Sequence, residues 1–423
     1  MVRPLLTIAL LSASAFAAKP AAVTFHKDVL PILQTKCQGC HRPGEAAPMP
    51  FLTYQQTRPF AKAIREAVAT KRMPPWFADP HVGKFTNDWS LSPAEIQTLS
   101  TWAESGAPAG NAKDAKPNPT FATGWRIPQP DLVVQLPEPY EIPASGTIDY
   151  VYTIVPSGLT EDRWIQFAEP RPGNRALVHH VIAFIREPGS PWFAEYPVNK
   201  SFIPKKTTKG GPSGYITGYA PGSMPYTLRP GQAALLKAGS DIVFQMHYTA
   251  NGTPGTDQSK IGLVFAKEPP KQAVHTLWLQ NSKFVIPPGV DNYPVATSVT
   301  LGTDVELLDS TPHMHVRGKA ATLKAVYPTG EEEKLLSARY DFNWQLSYQY
   351  APGKIVPKGT RLEAVSFYDN SPNNKHNPDP KAEVRWGDQS WEEMMLNFVR
   401  VAVDVNVKPG SLLQRPAPKP AAE

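Results

Sequence analysis

The sequence predicts a multidomain chain, a small all-α domain followed by two all-β sandwich domains, and three observations carry this. Helix-like periodicity is concentrated in residues 23 to 108. Beyond them lie short β-branched and aromatic runs, each closed by a Pro/Gly turn. Finally, 47 prolines in 423 residues is about twice average usage, which favours strands and turns over long helices. Residues 124 to 407 exceed a single sandwich of ~100 residues. Two sandwiches are therefore expected, 126–268 and 269–408, dividing near Lys267-Glu268-Pro269-Pro270.

Met1 to Ala17 reads as a secretory signal peptide. Arg3 provides the charged start, Leu5 to Leu11 the short apolar run, and Ala15-Phe16-Ala17 the cleavage site. That run is too short to span a bilayer, and no other reaches about 18 residues, so no membrane span is expected. A periplasmic or secreted location follows. The net charge of +6 is scattered, with no basic helix or nucleic-acid module, so nucleic acid is not an expected partner. The excess suits a solvated surface or the docking of an acidic redox partner.

In the first domain Val29, Ile32 and Leu33 repeat at helical spacing. Phe60 to Lys71 and Ser92 to Ser105 are also helix-like, the latter opening on a Ser-Pro-Ala-Glu capping box. Cys37 and Cys40 are the only cysteines, and with His41 they form C-x-x-C-H, the signature of covalent c-type haem attachment. Two thiols on one turn can add to the two vinyl groups while the adjacent imidazole ligates the iron. No βαβ pattern supports a thioredoxin-like reading, and a zinc site would need two further ligands nearby. Met73, before Pro74 and Pro75, is the preferred second axial ligand, because a thioether opposite histidine raises the potential and suits electron transfer. Met49, His81 and His26 are the alternatives.

Residues 109–125 read as a polar linker. Strands are expected at Ile148–Ile154, Val178–Ile185, Ile242–Thr249, Ile261–Phe265, Val295–Leu301, Thr322–Val326, Arg361–Tyr368 and Met395–Val401. Residues 409–423 read as a disordered tail. Three histidine groups fall on strand-like segments: His179-His180, His247, and His313-Met314-His315. Alternate strand positions share a face, so His313 and His315 would project together, a pair suited to zinc, copper, iron or nickel. His179 and His180, being adjacent, can share a metal only through a bend or through different ring nitrogens. His275 and His376 lack such context.

Taken in order, the histidine pair, His247-Tyr248, the H-x-H and Glu392-Glu393-Met394 resemble the copper type II, ascorbate-dependent monooxygenases, that is, the peptidylglycine α-hydroxylating and dopamine β-hydroxylating enzymes. Val285-Ile286-Pro287-Pro288-Gly289 and Tyr219-Ala220-Pro221-Gly222 add to the likeness, which spans residues 126 to 405. Residues 23–108 in turn resemble class I cytochrome c domains. The resemblance implies two jelly-roll-like halves, each with one copper, facing each other across a solvent-filled cleft. It implies that His179, His180 and His247 hold the electron-supplying copper. His313, His315 and Met394 would hold the copper at which O₂ is activated and a C–H bond hydroxylated, with Met395 the rival for Met394. The implied inventory is one haem c, two coppers, O₂, a small-molecule substrate and a redox partner that reduces the haem. The sequence departs from the pattern in having no disulfide cysteines. Thr311 and Phe398 stand where the peptide-processing enzymes place a substrate-binding Arg and Tyr, which implies a different, more apolar substrate. The alternative expectation is an electron-transfer or copper-binding redox protein without hydroxylase activity.

Overall fold

The computed structural model describes residues 22–45, 47–204 and 209–414; the signal-peptide reading lies outside them. Strand outweighs helix, 36% against 12%, and this overturns the expected small all-α domain. The helices are short: α1 (Leu30–Lys36), α2 (Tyr54–Thr57), α3 (Ala61–Ala69) and α4 (Pro93–Glu104). They bury Phe25, Leu33, Leu99 and Trp102 in a small apolar cluster. The α4 start is as read, with Ser92 and Glu95 capping each other's backbone N–H groups.

Between α3 and α4 the chain leaves this cluster. Residues 76–89 form an irregular strap across the C-terminal β half. Ala78 bridges Ala338 and Phe85 bridges Tyr350. Trp76 joins that half's core, 5.0 Å from the Tyr348 ring. Aromatic bulk at 76, 85 and 89 accounts for the excursion, since burying a ring against a sheet stabilises by roughly 2–3 kcal/mol.

All eight expected strand segments are strands, within a few residues at their ends. They do not make two free-standing jelly-roll-like sandwiches, however. One sheet runs through both halves in the order 132–135, 260–265, 163–171, 232–236, 272–281, 395–404, 305–313 and 348–349. The join is a short parallel pairing, Gln272 with Gln232 and Ala273 with Ala233. Each half keeps a large core of its own. One lies against the sheet holding Val178–Arg186 and Asp241–Tyr248; the other lies against the four strands 293–300, 361–368, 318–326 and 332–339. The architecture is thus sandwich-like and sheet-rich, with a shared layer. The tail reading also fails at its start, because Leu412 is buried and Leu413 bridges Leu301. Among the described residues no helix is long and apolar enough to cross a membrane.

Candidate metal centre and attachment cavity

The strands Val178–Arg186 and Asp241–Tyr248 pair antiparallel, His247 opposite His180 and Tyr248 opposite Val178. His179 is therefore the extra residue of a β-bulge. A bulge re-aims a side chain that alternation would send to the opposite face, and this is the bend that two adjacent histidines require. Ligand nitrogens of His179, His180 and His247 all lie within 4.8 Å of one another. His179 Nε2, His180 Nε2 and His247 Nδ1 are buried without a hydrogen-bond partner. Buried ring nitrogens are rarely left so, and three such rings with ligand nitrogens this close together fit a metal. Burial lowers the pKa of His179 to about 4 and of His247 to about 3, and it holds His180 well below the usual histidine range. Neighbouring imidazoles reinforce the effect at His180 and His247. All three are neutral at neutral pH, the form that ligates.

The second group is built differently. His313 ends the strand Val305–His313, Met314 points into the core, and His315 lies on the following turn. The two imidazole rings are 5.3 Å apart. His313 Nδ1 donates to Gln345 Oε1 at 2.9 Å, and His315 Nδ1 donates to the Glu392 carbonyl at 3.2 Å. Each contact leaves Nε2 as the lone-pair nitrogen, as ligating histidines require; that of His315 is buried and unpartnered. The turn itself is clamped by Glu393, whose carboxylate accepts from the backbone N–H groups of His315 and Arg317 at 2.8 and 2.7 Å. Burial nevertheless pushes the Glu393 carboxyl up to about 8. Met394 is half-buried on the segment that follows, whereas Met395 is wholly buried in the C-terminal core. Thr311 and Phe398, the two positions of departure, both line a cavity with His313 and His180.

The two groups do not face each other across an open cleft. Tyr150, itself buried, contacts both: its ring lies 5.3 Å from His180, 4.7 Å from His247 and 6.1 Å from His315. Phe342 stacks on His179 at 5.2 Å and also lies 6.0 Å from His247 and 6.3 Å from His315. Neither aromatic was singled out in the sequence, nor was Gln345. Tyr150 sits in an ordinary strand-like run and Phe342 in a polar turn, so no local signal marked them.

The Cys37-Cys40-His41 segment opens on a cavity of about 510 Å³, lined by Cys37, Cys40, His41, Met49 and Met73 among apolar side chains. The volume is within the range of cofactor sites. His41 Nδ1 donates to the Met49 carbonyl at 3.0 Å, and Phe51 stacks on the imidazole at 4.3 Å; Nε2 is left free to ligate. Burial pushes the Cys37 thiol up to about 12 and raises Cys40 as well. His26 and His81 do not line the cavity, whereas Met49 does. His179, Pro221, Asn343 and Trp344 form its far wall. No family model matches the chain. No curated protein matches it either. Solved structures with some likeness include the infectious bursal disease virus VP2 subviral particle, at 7% identity and a TM-score of 0.21, covering 70% of this chain and 76% of that one. The T13 particle of the same virus is similar at 8% and 0.20, over 68% and 73%. Likeness at that level carries no argument.

Proposed function

We propose that the chain is an oxidoreductase with one covalent haem and two coppers that hydroxylates a C–H bond of a small molecule with O₂. In balance, R–H, O₂, two electrons and two protons give R–OH and water, the electrons coming from an external donor that reduces the haem. The observation that carries this reading is the double membership of His179, which belongs to the histidine triad and to the wall of the Cys37/Cys40/His41 cavity. A group seated in that cavity and a metal held by the triad would share one imidazole as their boundary.

Cys37 and Cys40 would hold the haem, and His41, with Met73 or Met49 of the same cavity wall, would ligate it. His179, His180 and His247 would hold one copper; His313, His315 and Met394 would hold the other. When bound, these groups supply one-electron transfer and O₂ chemistry, the softer thioether favouring Cu(I). The chain's own residues supply the conditions. Bulge geometry at His179 brings three donors together without backbone rearrangement. Gln345 and the Glu392 carbonyl fix the tautomers of His313 and His315. Tyr150 and Phe342 fill part of the space between the two groups, each ring lying against histidines of both. Arg42, Glu45 and Arg175 form a half-buried ion cluster, with contacts of 2.8 and 2.6 Å, which pins the Cys37–Glu45 segment against the loop that leads into His179.

The test is elemental analysis of haem-loaded protein reconstituted with Cu(II), followed by the rate of haem reoxidation. Two coppers per haem, and reoxidation accelerated only when copper, O₂ and substrate are present together, are expected. Copper bound with no substrate-dependent O₂ uptake would leave a redox carrier, and absence of tight copper would end the reading.

A further inference from the structure

A second cavity lies between the β halves, with His180 and His313 both in its wall. It holds about 90 Å³, room for several water molecules at 10–15 Å³ each. We infer that it is a binding site for a small uncharged molecule, mainly apolar and carrying a single hydrogen-bonding group such as a hydroxyl. This deepens the hydroxylase reading, on which it rests, by naming the class of substrate.

The walls argue for an apolar body. Tyr215 and Phe398 are stacked at 5.2 Å, and Trp76 and Trp89 of the strap close the opposite side. The strap is fastened by Asn87, which donates to the Ser347 carbonyl at 2.7 Å and accepts from the Gln349 N–H at 3.0 Å. The charge inventory argues against an ionic ligand. Among the described residues of the lining Arg400 is the one cationic side chain, and it is committed elsewhere: its guanidinium is paired with buried Asp309 and lies over the Tyr226 ring at 4.3 Å. Recruiting it to a ligand carboxylate would strand the Asp309 carboxylate in the interior, at a cost that exceeds the new contact. An ammonium group would find no unpaired carboxylate in the lining. Polar contact is on offer at two hydroxyls of the lining, Ser347 and Tyr219, each buried without a partner and each able to meet one hydroxyl of a ligand.

The experiment uses the haem-loaded full chain, with and without copper, and ligand-observed fluorine NMR. The probes are 4-fluorobenzyl alcohol, 4-fluorotoluene, 4-fluorobenzoate and 4-fluorobenzylamine. The alcohol is expected to bind at least about tenfold more tightly than the benzoate or the ammonium, the scale of an uncompensated buried charge. Ser347→Ala should weaken the alcohol and leave 4-fluorotoluene unchanged. Met224→Arg, at an exposed lining position and so compatible with folding, should raise benzoate binding severalfold. Benzoate binding equal to that of the alcohol in the parent protein, or no binding of any probe, overturns the inference. Binding does not require turnover, so retained binding without hydroxylation would sink the proposed reaction and leave the site standing.

Discussion

The two histidine groups are made of the same side chain on strands of two different sheets, with His315 just past a strand end, yet they are constructed in opposite ways. In the triad, ring nitrogens meet one another: His179 Nδ1 lies 3.3 Å from His180 Nδ1, and among the described residues the other nitrogen of each of these two rings, like Nδ1 of His247, has no hydrogen-bond partner. In the H-x-H pair each imidazole is tethered through Nδ1, one to Gln345 and one to the Glu392 carbonyl. A site shaped by a backbone bulge depends on the metal for its final order. A site shaped by outside tethers has its order before any metal arrives. The contrast suits the roles proposed, electron passage at the first and chemistry at the second.

The largest way to break this comparison is His247→Ala. It removes one of three donors from a site with no tethered spare, and copper is expected to fall from two to one per haem by elemental analysis. Retention of two would mean that the triad is not a site. The pH dependence of the copper-free protein comes next. His179 and His247 are neutral when folded down to about 4 and about 3, whereas the unfolded histidines take up protons near 6.5. The unfolded state thus binds more protons below pH 6.5, and stability is lost as pH falls from there towards 4. The loss is at most ~1.4 kcal/mol per pH unit for each histidine. Urea midpoints should drop steeply over that window, and copper, which also needs the neutral imidazoles, should raise the whole curve without flattening it; midpoints unmoved by copper would show that the triad holds no metal. The smallest effect is expected from Gln345→Leu. Loss of an outer tether typically costs ~10–100-fold in metal affinity. Titration should show this at one of two copper sites, with the other unchanged, and a uniform loss at both would erase the distinction drawn here.

Much of the fold was legible in the chain, and the reasons are local. Alternating β-branched runs such as Val178–Ile185 and Ile242–Thr249, bounded by turn residues, fixed the strands, and Ser92 with Glu95 fixed the start of α4. What was illegible is non-local. The parallel join of Gln272 and Ala273 to Gln232 and Ala233 is two residues long, too brief to leave a pattern, yet it turns two expected sandwiches into a shared sheet. The strap reads as a Pro-rich loop within a helical region, and only its aromatic partners around Tyr348 reveal where it belongs. At the site, the ligand candidates were visible as histidine spacing. The bulge that unites His179 with His180 depends on how many residues the partner strand presents, and Tyr150 acts through position alone.

The strap also sets a clock for synthesis. Asn87 is fastened to Gln349, 262 residues later in the chain. At roughly 5–20 residues per second, a ribosome takes some tens of seconds to make that span. Until then residues 76–89 have nothing to lie on, and Cys37, Cys40 and His41 stand beside a loose segment. The fold thus leaves a timed window before the strap can close, and the strands that close it, Glu332–Arg339 and Tyr348–Gln349, come late in the chain.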